Sequence, residues 1–244
     1  MNATVQIFPD AQAAAEACAQ TILDLLNARL NDSAQASLAI SGGSTPRLLF
    51  DCMSRLPFDW TRIQIFWVDE RAVPPDDSQS NYKLANDHLL QPAGVPAANV
   101  HRIRSELPPE QAALYYAQEI RDALALGPRE LPCFDVVHQG MGPDAHTASL
   151  FPGEPFIEDR GRIAAAVYVA KIAAHRITLL PAALLNARHT LMLVAGDDKA
   201  EPLKTVLDGD YDPLQHPAQL IARKARDVRW FVDAPAARLL PPLS

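Results

Sequence analysis

The sequence predicts an α/β fold in which helices cover both faces of a mainly parallel sheet. Segments of strand type alternate with segments of helical type along almost the whole chain, which is typical of α/β proteins. The segment at residues 63–68 ends in consecutive apolar side chains, as expected for a strand buried on both faces of a parallel sheet. No repeat, low-complexity tract or linker interrupts the chain, so we expect one domain over residues 1–244.

The predicted elements are short because 21 prolines divide the chain. Asp10 is an N-cap candidate for the first helix, and Pro46 suits the first turn of the second. The strands at residues 163–170 and 176–180 are expected to pair antiparallel as a small side element. Further strands are expected at residues 4–8, 37–40, 63–68, 101–103, 134–139, 189–195 and 229–232. Helices are expected at residues 11–30, 47–56, 81–90, 108–126, 181–186 and 200–207, with a short one after the last strand.

The composition is that of a globular protein without nucleic-acid or membrane partners. Hydrophobic residues make up 48% of the chain and charged residues 21%, which permits a sizeable core. The net charge is −7 without a basic run, so binding to nucleic acid or to an anionic membrane is not expected. We find neither a signal peptide nor an apolar run of the roughly 18 residues that span a bilayer. The three cysteines have no metal-ligand spacing and indicate a reducing compartment, so we expect a cytoplasmic protein.

The stretch at residues 134–153 is the first candidate site. A run of strand type breaks there at the sequence GMGP, which regular elements tolerate poorly, and polar residues follow at once. These residues are Asp144, His146, Thr147 and Ser149. Open α/β sheets build sites in this way at the carboxyl ends of their strands. The alternative is a plain strand-to-helix connection in which Asp144 or Thr147 is an N-cap.

His146 is the candidate general base within this stretch. An imidazole with a reference pKa of about 6.5 is suited to proton transfer near neutrality, and Asp144 can orient the ring. The alternative is a histidine with a structural role only. Ser149 is not favoured as a nucleophile because the sequence around it lacks the G-x-S-x-G elbow.

Residues 41–46, with the sequence SGGSTP, form a candidate cradle for a phosphate group. Glycines let the backbone approach an anion closely, and the amides at the start of the next helix favour negative charge. The motif matches neither the dinucleotide fingerprint nor the Walker A loop, so neither a dinucleotide nor a nucleoside triphosphate is indicated. The alternative is a glycine turn with an ordinary helix cap.

Two cations follow other predicted strands. Arg71 comes directly after Asp69 and Glu70, and its planar fork suits a carboxylate or a carbonyl oxygen. An internal ion pair with one of these acids is the alternative. Lys199 lies at the start of a helix, where a cation opposes the helix dipole. A bound phosphate would explain a lysine at this unfavourable position. The alternative is a side chain that is simply solvated. Because parallel strands end at one edge of a sheet, all these clusters are expected to line one cleft.

Taken together, these segments resemble the 6-phosphogluconolactonase family. The resemblance spans nearly the whole chain and is most specific at residues 140–152. The other matching segments are residues 41–46, 69–74, 80–81, 176–178, 185–187, 199–200 and 230–233. The family is similar in fold to glucosamine-6-phosphate deaminase, so the resemblance implies a modified Rossmann-like α/β domain.

The resemblance implies hydrolysis of 6-phospho-D-glucono-1,5-lactone to 6-phosphogluconate in the oxidative pentose phosphate pathway, without a metal or cofactor. His146 would deprotonate the attacking water, Asp144 would hold the imidazole, and Arg71 would favour the charge that develops on the carbonyl oxygen. The implied substrate-binding residues are Gly42, Gly43, Ser44, Thr45, Asp69, Lys199 and Arg176. No obligate protein partner is evident.

Two other functions fit parts of the pattern. A sugar-phosphate isomerase or deaminase would share the fold and the phosphate site but would use Asp69 as a base on carbon, where Arg71 is out of place. A non-catalytic sugar-phosphate sensor would not need His146.

One position departs from the family pattern. The family usually has glycine between the aspartate and the histidine, and this chain has Ala145. Glycine adopts positive φ freely and alanine does not. We therefore expect a negative φ at Ala145, with its Cβ pointing away from the cleft.

Overall fold

A computed structural model describes residues 3–241 and contains two sheets. The strands are β1 Ala3–Phe8, β2 Ala36–Ile40, β3 Ile63–Trp67, β4 Asp69–Arg71, β5 Val100–His101, β6 Val136–Gln139, β7 Ala164–Val169, β8 Ala174–Leu179, β9 His189–Val194 and β10 Val228–Asp233. The α-helices are α1 Ala11–Asp32, α2 Ser44–Arg55, α3 Asn81–Ala85, α4 Pro109–Ala123, α5 Pro181–Leu184, α6 Ala200–Asp208, α7 Ala218–Lys224 and α8 Ala234–Ala237. A π-helical turn at Asn86–Leu90 continues α3, and short 3₁₀ turns include Ala170–Ile172 and Asp197–Lys199.

The large sheet is parallel throughout and has the strand order β1-β10-β9-β6-β2-β3-β5. Every residue of β2, β3 and β6 is buried, as expected for central strands of a parallel sheet that is covered on both faces. Helix α1 packs across β1, β2, β6, β9 and β10, and Asp10 caps its first turn by accepting the N–H of Ala13. The predicted fold class, an α/β protein with a mainly parallel sheet, is confirmed.

The small sheet is antiparallel and has the order β4-β8-β7. The antiparallel pairing expected near residues 160–180 is therefore correct. Asp69 to Arg71 were expected at the polar end of the strand before them, and this was wrong, because these residues form β4 in a different sheet. Val68 separates the two strands: its N–H donates to Ile40 of β2, and its carbonyl accepts from Leu179 of β8.

The strand order creates a crevice between β2 and β6. From β2 the chain continues outwards to β3 and β5, whereas from β6 it continues in the opposite direction to β9 and β10. The connections after β2 and β6 therefore diverge, which leaves room for a ligand at the carboxyl ends of these neighbouring strands.

Helix α7 was not predicted. Its five buried residues hold it in place, and the side chain of Gln219 donates to the carbonyls of Thr205 and Asp210 while accepting the N–H of Asp212. These contacts bring together separate segments of chain, so a short helix without a capping side chain forms through packing and not through local propensity. None of the helices in the described range has the length and hydrophobicity to cross a membrane.

Candidate active site

The loops at the carboxyl ends of β2, β6 and β9 meet β4 and the start of α3 around a cavity of about 180 Å³. The loop after β2 contributes Ser41, Gly42, Gly43, Ser44, Thr45 and Pro46. The other lining residues are Asp69, Arg71, Asn81, Gly140, Met141, Gly142, His146, Ala148, Leu193, Val194, Ala195 and Lys199. All four polar clusters identified in the sequence thus reach one cleft, three from the carboxyl ends of parallel strands and the fourth from β4 of the small sheet.

His146 and Asp144 form a hydrogen-bonded pair at this cleft. Nδ1 of His146 lies 2.5 Å from Oδ1 of Asp144. A carboxylate can only accept, so Nδ1 carries the proton and Nε2 is left with a free lone pair. The hydrogen bond with His146 holds the pKa of Asp144 well below its usual range, so the carboxylate stays ionised. The pair can take a proton at Nε2 and spread the resulting positive charge towards Asp144.

The chain packs closely around this imidazole. The ring of Phe151 stacks on it, with 4.2 Å between ring centroids. Gly142 lies against its Nδ1 and Cε1 edge, because a Cβ at this glycine would fall 2.1 Å from each of these atoms. These contacts fix the plane of the ring and explain why the loop needs a glycine at residue 142.

Lys171 is a partner of Asp144 that the sequence analysis did not identify. Its Nζ donates to Oδ2 of Asp144 over 2.9 Å, so the two oxygens of the carboxylate bind a lysine and a histidine. Lys171 lies in the turn between β7 and β8, far from residue 144 in the chain. No local sequence pattern could reveal this contact, since the fold of the hairpin creates it.

The loop that carries the pair corrects two expectations. No helix follows Asp144 or Thr147, so neither is the N-cap that the alternative interpretation required. The expected negative φ at Ala145 was wrong: φ is +60°. Two backbone hydrogen bonds hold this conformation, from Ala145 N to Gly142 O and from Ala218 N to Ala145 O. The Ala145 side chain is buried and is not among the residues that line the cleft.

The predicted phosphate cradle lies directly before α2. Gly43 is the N-cap of this helix with φ +128°, a conformation that only glycine adopts readily. The first amides of the helix, at Ser44 and Thr45, have no acceptor within the helix and are available to an anion. At Gly42 a Cβ would lie 1.9 Å from Oδ1 of Asn81, so this position also requires glycine.

The carboxylates of Asp69 and Glu70 bind groups other than the Arg71 guanidinium. The buried carboxylate of Glu70 accepts the N–H groups of Arg71, Asn81 and Tyr82 and the hydroxyl of Ser80, and burial raises its pKa. Asp69 accepts the hydroxyl of Ser149 over 2.6 Å.

The Arg71 guanidinium instead donates to the carbonyl of Gln79 at the edge of the cleft. The internal ion pair considered for Arg71 is therefore not formed, and its charge faces the cleft. Ser149 is a buried hydrogen-bond donor to Asp69, consistent with its exclusion as a nucleophile.

Lys199 and Arg176 differ in their position. Lys199 lines the cleft, where its Nζ also donates to Asp198 over 2.8 Å. Arg176 pairs with Arg71 in the register of the small sheet but is not among the lining residues. Burial, together with the charge of Arg71, lowers the pKa of Arg176. Arg176 therefore lies beside the cleft, not in it.

Asn81 is a cleft residue to which the sequence analysis gave no role. It is buried, its Nδ2 donates to the Asp69 carbonyl over 2.9 Å, and its Oδ1 faces Gly42. It thus joins β4 to the phosphate cradle. Between residues 3 and 241, His, Cys, Asp and Glu side chains form no group of three that could hold a metal ion.

Comparison with known proteins gives close matches over nearly the full length. A family model described as glucosamine-6-phosphate isomerases/6-phosphogluconolactonase matches residues 9–230. The chain is 36% identical to a 6-phosphogluconolactonase of Homo sapiens, over 97% of this chain and 93% of the human one. A solved 6-phosphogluconolactonase structure from Thermotoga maritima is 29% identical, with a TM-score of 0.82 over 95% of this chain and 99% of its own.

A second solved structure extends the likeness of fold. It is described as a monomeric glucosamine-6-phosphate deaminase and has a TM-score of 0.83 over 97% of this chain and 99% of its own, at 20% identity. The resemblance found in the sequence is therefore confirmed, including the fold shared with a deaminase.

Proposed function

The chain belongs to the family of glucosamine-6-phosphate isomerases and 6-phosphogluconolactonases, and on this basis we propose that it hydrolyses 6-phospho-D-glucono-1,5-lactone to 6-phosphogluconate. The observation that carries the proposal is the His146–Asp144 pair, which opens onto the same cleft as Arg71 and the phosphate cradle. A base, a cation and an anion site are the three groups that hydrolysis of a phosphorylated lactone needs.

His146 is the general base of the proposed reaction. A lactone is an activated ester, so one base and one water molecule suffice for attack on C1. Nε2 of His146 takes a proton from the water as its oxygen bonds to C1, and Asp144 stabilises the imidazolium that forms. When the bond between C1 and the ring oxygen breaks, the imidazolium returns the proton to the leaving oxygen. The carboxylic acid product then ionises and releases a proton to solvent.

Arg71 and the cradle have separate roles in this mechanism. The Arg71 guanidinium faces the charge that develops on the carbonyl oxygen of C1 and that the carboxylate product keeps. Gly42, Gly43, Ser44 and Thr45, with Lys199, hold the phosphate at the opposite end of the substrate. Asp69 and Arg176 remain predicted substrate-binding residues: Asp69 lines the cleft, and Arg176 acts from beside Arg71.

The charged groups of the cleft favour a lactonase over an isomerase or deaminase. A base on carbon at Asp69 would have Arg71, two residues along β4, as its neighbour in the cleft, and Asp69 is already hydrogen-bonded to Ser149. A sensor would bind the sugar phosphate without needing the His146–Asp144 pair. Among the named relatives, the one from Homo sapiens is a 6-phosphogluconolactonase, which supports the same choice.

Proton release tests the function directly. Freshly made 6-phospho-D-glucono-1,5-lactone is added to weakly buffered enzyme, and the rate is compared with spontaneous hydrolysis. We expect a rate that is proportional to enzyme concentration and lower by roughly 10²–10⁴-fold in His146→Ala. Glucosamine 6-phosphate is tested in parallel for ammonia release. Ammonia without lactone hydrolysis would assign the deaminase activity, and tight binding of both compounds without turnover would assign a sensor.

The proposal includes a single domain over residues 1–244, a cytoplasmic location and a place in the oxidative pentose phosphate pathway. The three cysteines are free thiols, as suits a reducing compartment.

A further inference from the structure

The turn between β7 and β8 contacts the His146–Asp144 pair through a single long side chain. Lys171 lies in the 3₁₀ turn Ala170–Ile172, and Ala173 closes that turn with φ +47°. Its Nζ is 2.9 Å from Oδ2 of Asp144, while the other carboxylate oxygen binds His146. The contact is specific in geometry because each oxygen of Asp144 has its own donor.

We propose that Lys171 is a positioning residue, which holds Asp144 in the rotamer that binds His146 and limits the pull of the carboxylate on the imidazole proton. The inference rests on the proposed function, since it assigns a role towards the same base. The lysine does not touch the cleft, so it acts only through Asp144.

Two donors fix the orientation of the Asp144 carboxylate. A carboxylate with one donor can rotate and present either oxygen, whereas a carboxylate with a different donor on each oxygen has one preferred orientation. Lys171 approaches from a hairpin, and His146 approaches from the loop after β6. Asp144 is thus clamped between two elements, and Nδ1 of His146 keeps its acceptor.

The charge of Lys171 also acts on the imidazole of His146. A carboxylate beside an imidazole attracts positive charge on the ring. The ammonium of Lys171 opposes this effect. The other charged side chains that line the cleft are Asp69, Arg71 and Lys199, and of these only Asp69 would favour the protonated ring. Asp69 has its own donor in Ser149.

The effect must be modest, because the Lys171 side chain is 68% exposed and solvent screens its charge. Exposed ion pairs of this kind change the pKa of a neighbouring group by roughly a few tenths of a unit. We therefore expect a small shift of the NMR midpoint of His146, with a direction and size that follow the charge at residue 171. A loss of folding would not produce such a series.

The experiment follows the His146 ring by NMR in the full chain without substrate, with His146→Gln to assign its signal. We expect its midpoint to rise by about 0.2–0.7 pH unit in Lys171→Met, to rise further in Lys171→Glu, and to stay in place in Lys171→Arg. Lys204→Met, which changes the same charge at an exposed position on α6, is the matched control and should leave the midpoint unchanged.

Kinetics supply the second measurement. The acid limb of the kcat/KM profile should move with the NMR midpoint. At pH values above the acid limbs of both the parent chain and Lys171→Met, kcat should be roughly two- to fivefold lower in the variant. An unchanged midpoint in both Lys171→Met and Lys171→Glu would overturn the inference, and so would a Lys171→Arg variant that behaves like Lys171→Met. Failure of the proposed function appears differently, as absent lactone hydrolysis in the unmodified enzyme.

Discussion

The imidazole of His146 has little freedom to move. Asp144 binds Nδ1, Phe151 covers a face of the ring, and Gly142 lies against the Nδ1 and Cε1 edge. Nε2 is the remaining ring nitrogen, and His146 lines the cleft. A base that is held in this way loses little entropy when the substrate arrives, since its orientation is already set.

Replacement of His146 by alanine is expected to lower kcat by roughly 10²–10⁴-fold, the usual contribution of a general base. Product binding should persist, because the phosphate cradle is on a different loop. Calorimetry with 6-phosphogluconate and the proton-release assay measure the two properties.

A matched control is available in His88, whose Nδ1 binds Asp51 over 2.8 Å outside the cleft. The His88→Ala variant should keep full activity. A His146→Ala variant that is as active as His88→Ala would remove His146 from the mechanism.

Two alanines with positive φ allow the strain in the active-site loop to be measured. Ala125 has φ +51° and follows the end of α4, a position that glycine usually occupies, whereas Ala145 has φ +60° in the loop. Glycine would relieve about 1–2 kcal/mol at either site and cost about 0.4–1 kcal/mol in chain entropy. Ala145 would also lose a buried methyl group, which contributes about 0.8 kcal/mol.

Ala125→Gly is therefore expected to raise the free energy of unfolding by up to about 1.6 kcal/mol, and Ala145→Gly to leave it nearly unchanged. Urea unfolding of the two variants beside the parent chain gives both values. A larger gain for Ala145→Gly than for Ala125→Gly would show that the buried methyl contributes nothing.

At the scale of elements, the anion site combines two helix starts. Helix α2 offers its first amides from the loop after β2, and Lys199 ends the 3₁₀ turn that leads into α6. The two starts follow β2 and β9, the strands on either side of β6, and both line the cleft, so one phosphate can meet both a helix dipole and an ammonium group.

Lys199→Met is expected to raise KM by roughly 10- to 100-fold, which corresponds to the loss of a charge-assisted hydrogen bond, with a much smaller change in kcat. The phosphate is the same in substrate and transition state, so its contacts bind both equally. Initial-rate kinetics against lactone concentration measure the two constants, with Lys224→Met on α7 as the control. An unchanged KM with a reduced kcat would place Lys199 in the chemical step instead.

Elements with a continuous local signal were predictable from the sequence. The buried strands and α1 follow from apolar runs and periodicity, and the SGGSTP cradle and the Asp144–His146 pair each lie within a few residues. Three-residue β4 was missed because its polar sequence forms a strand only where β8 pairs with it.

The parts of the site that were missed depend on contacts between distant segments. Lys171 reaches Asp144 through the turn of a hairpin, and Asn81 reaches Gly42 from the start of α3. The φ of Ala145 is held by a hydrogen bond from Ala218 on α7, a helix that itself depends on packing. None of these contacts leaves a periodic or local pattern in the sequence.

At the scale of the whole molecule, a buried histidine makes the fold sensitive to acid. His138 lies on β6 in the middle of the large sheet, and neither ring nitrogen has a hydrogen-bond partner among the described residues. Burial lowers the pKa of His138 to about 3. Below about pH 6.5 the unfolded chain therefore binds a proton that the folded chain excludes, and stability falls as the pH decreases towards 3.

His138→Leu should remove up to about 1.4 kcal/mol per pH unit from the slope of stability between roughly pH 6 and pH 4. Urea unfolding at a series of pH values measures this slope. The same substitution at His216, which is only half-buried, should leave it nearly unchanged. Parallel curves for the parent chain and His138→Leu would show that another group controls acid unfolding.

The proposed chemistry needs no metal, because the ester is already activated and His146 with Arg71 supplies the base and the positive charge. Activity is therefore expected to be complete after exhaustive treatment with a chelator, as measured by proton release. Loss of activity that a divalent ion restores would overturn the mechanism.

Val68 joins the two sheets, with its N–H bound to β2 and its carbonyl bound to β8. The cradle after β2 and the guanidinium on β4 are thus held at a fixed separation by the same residue. A site of this kind has its anion-binding amides and its cation in place before a ligand arrives, so ordering them uses little of the binding free energy. The phosphate and the carbonyl oxygen of the proposed substrate can then be engaged in a single encounter.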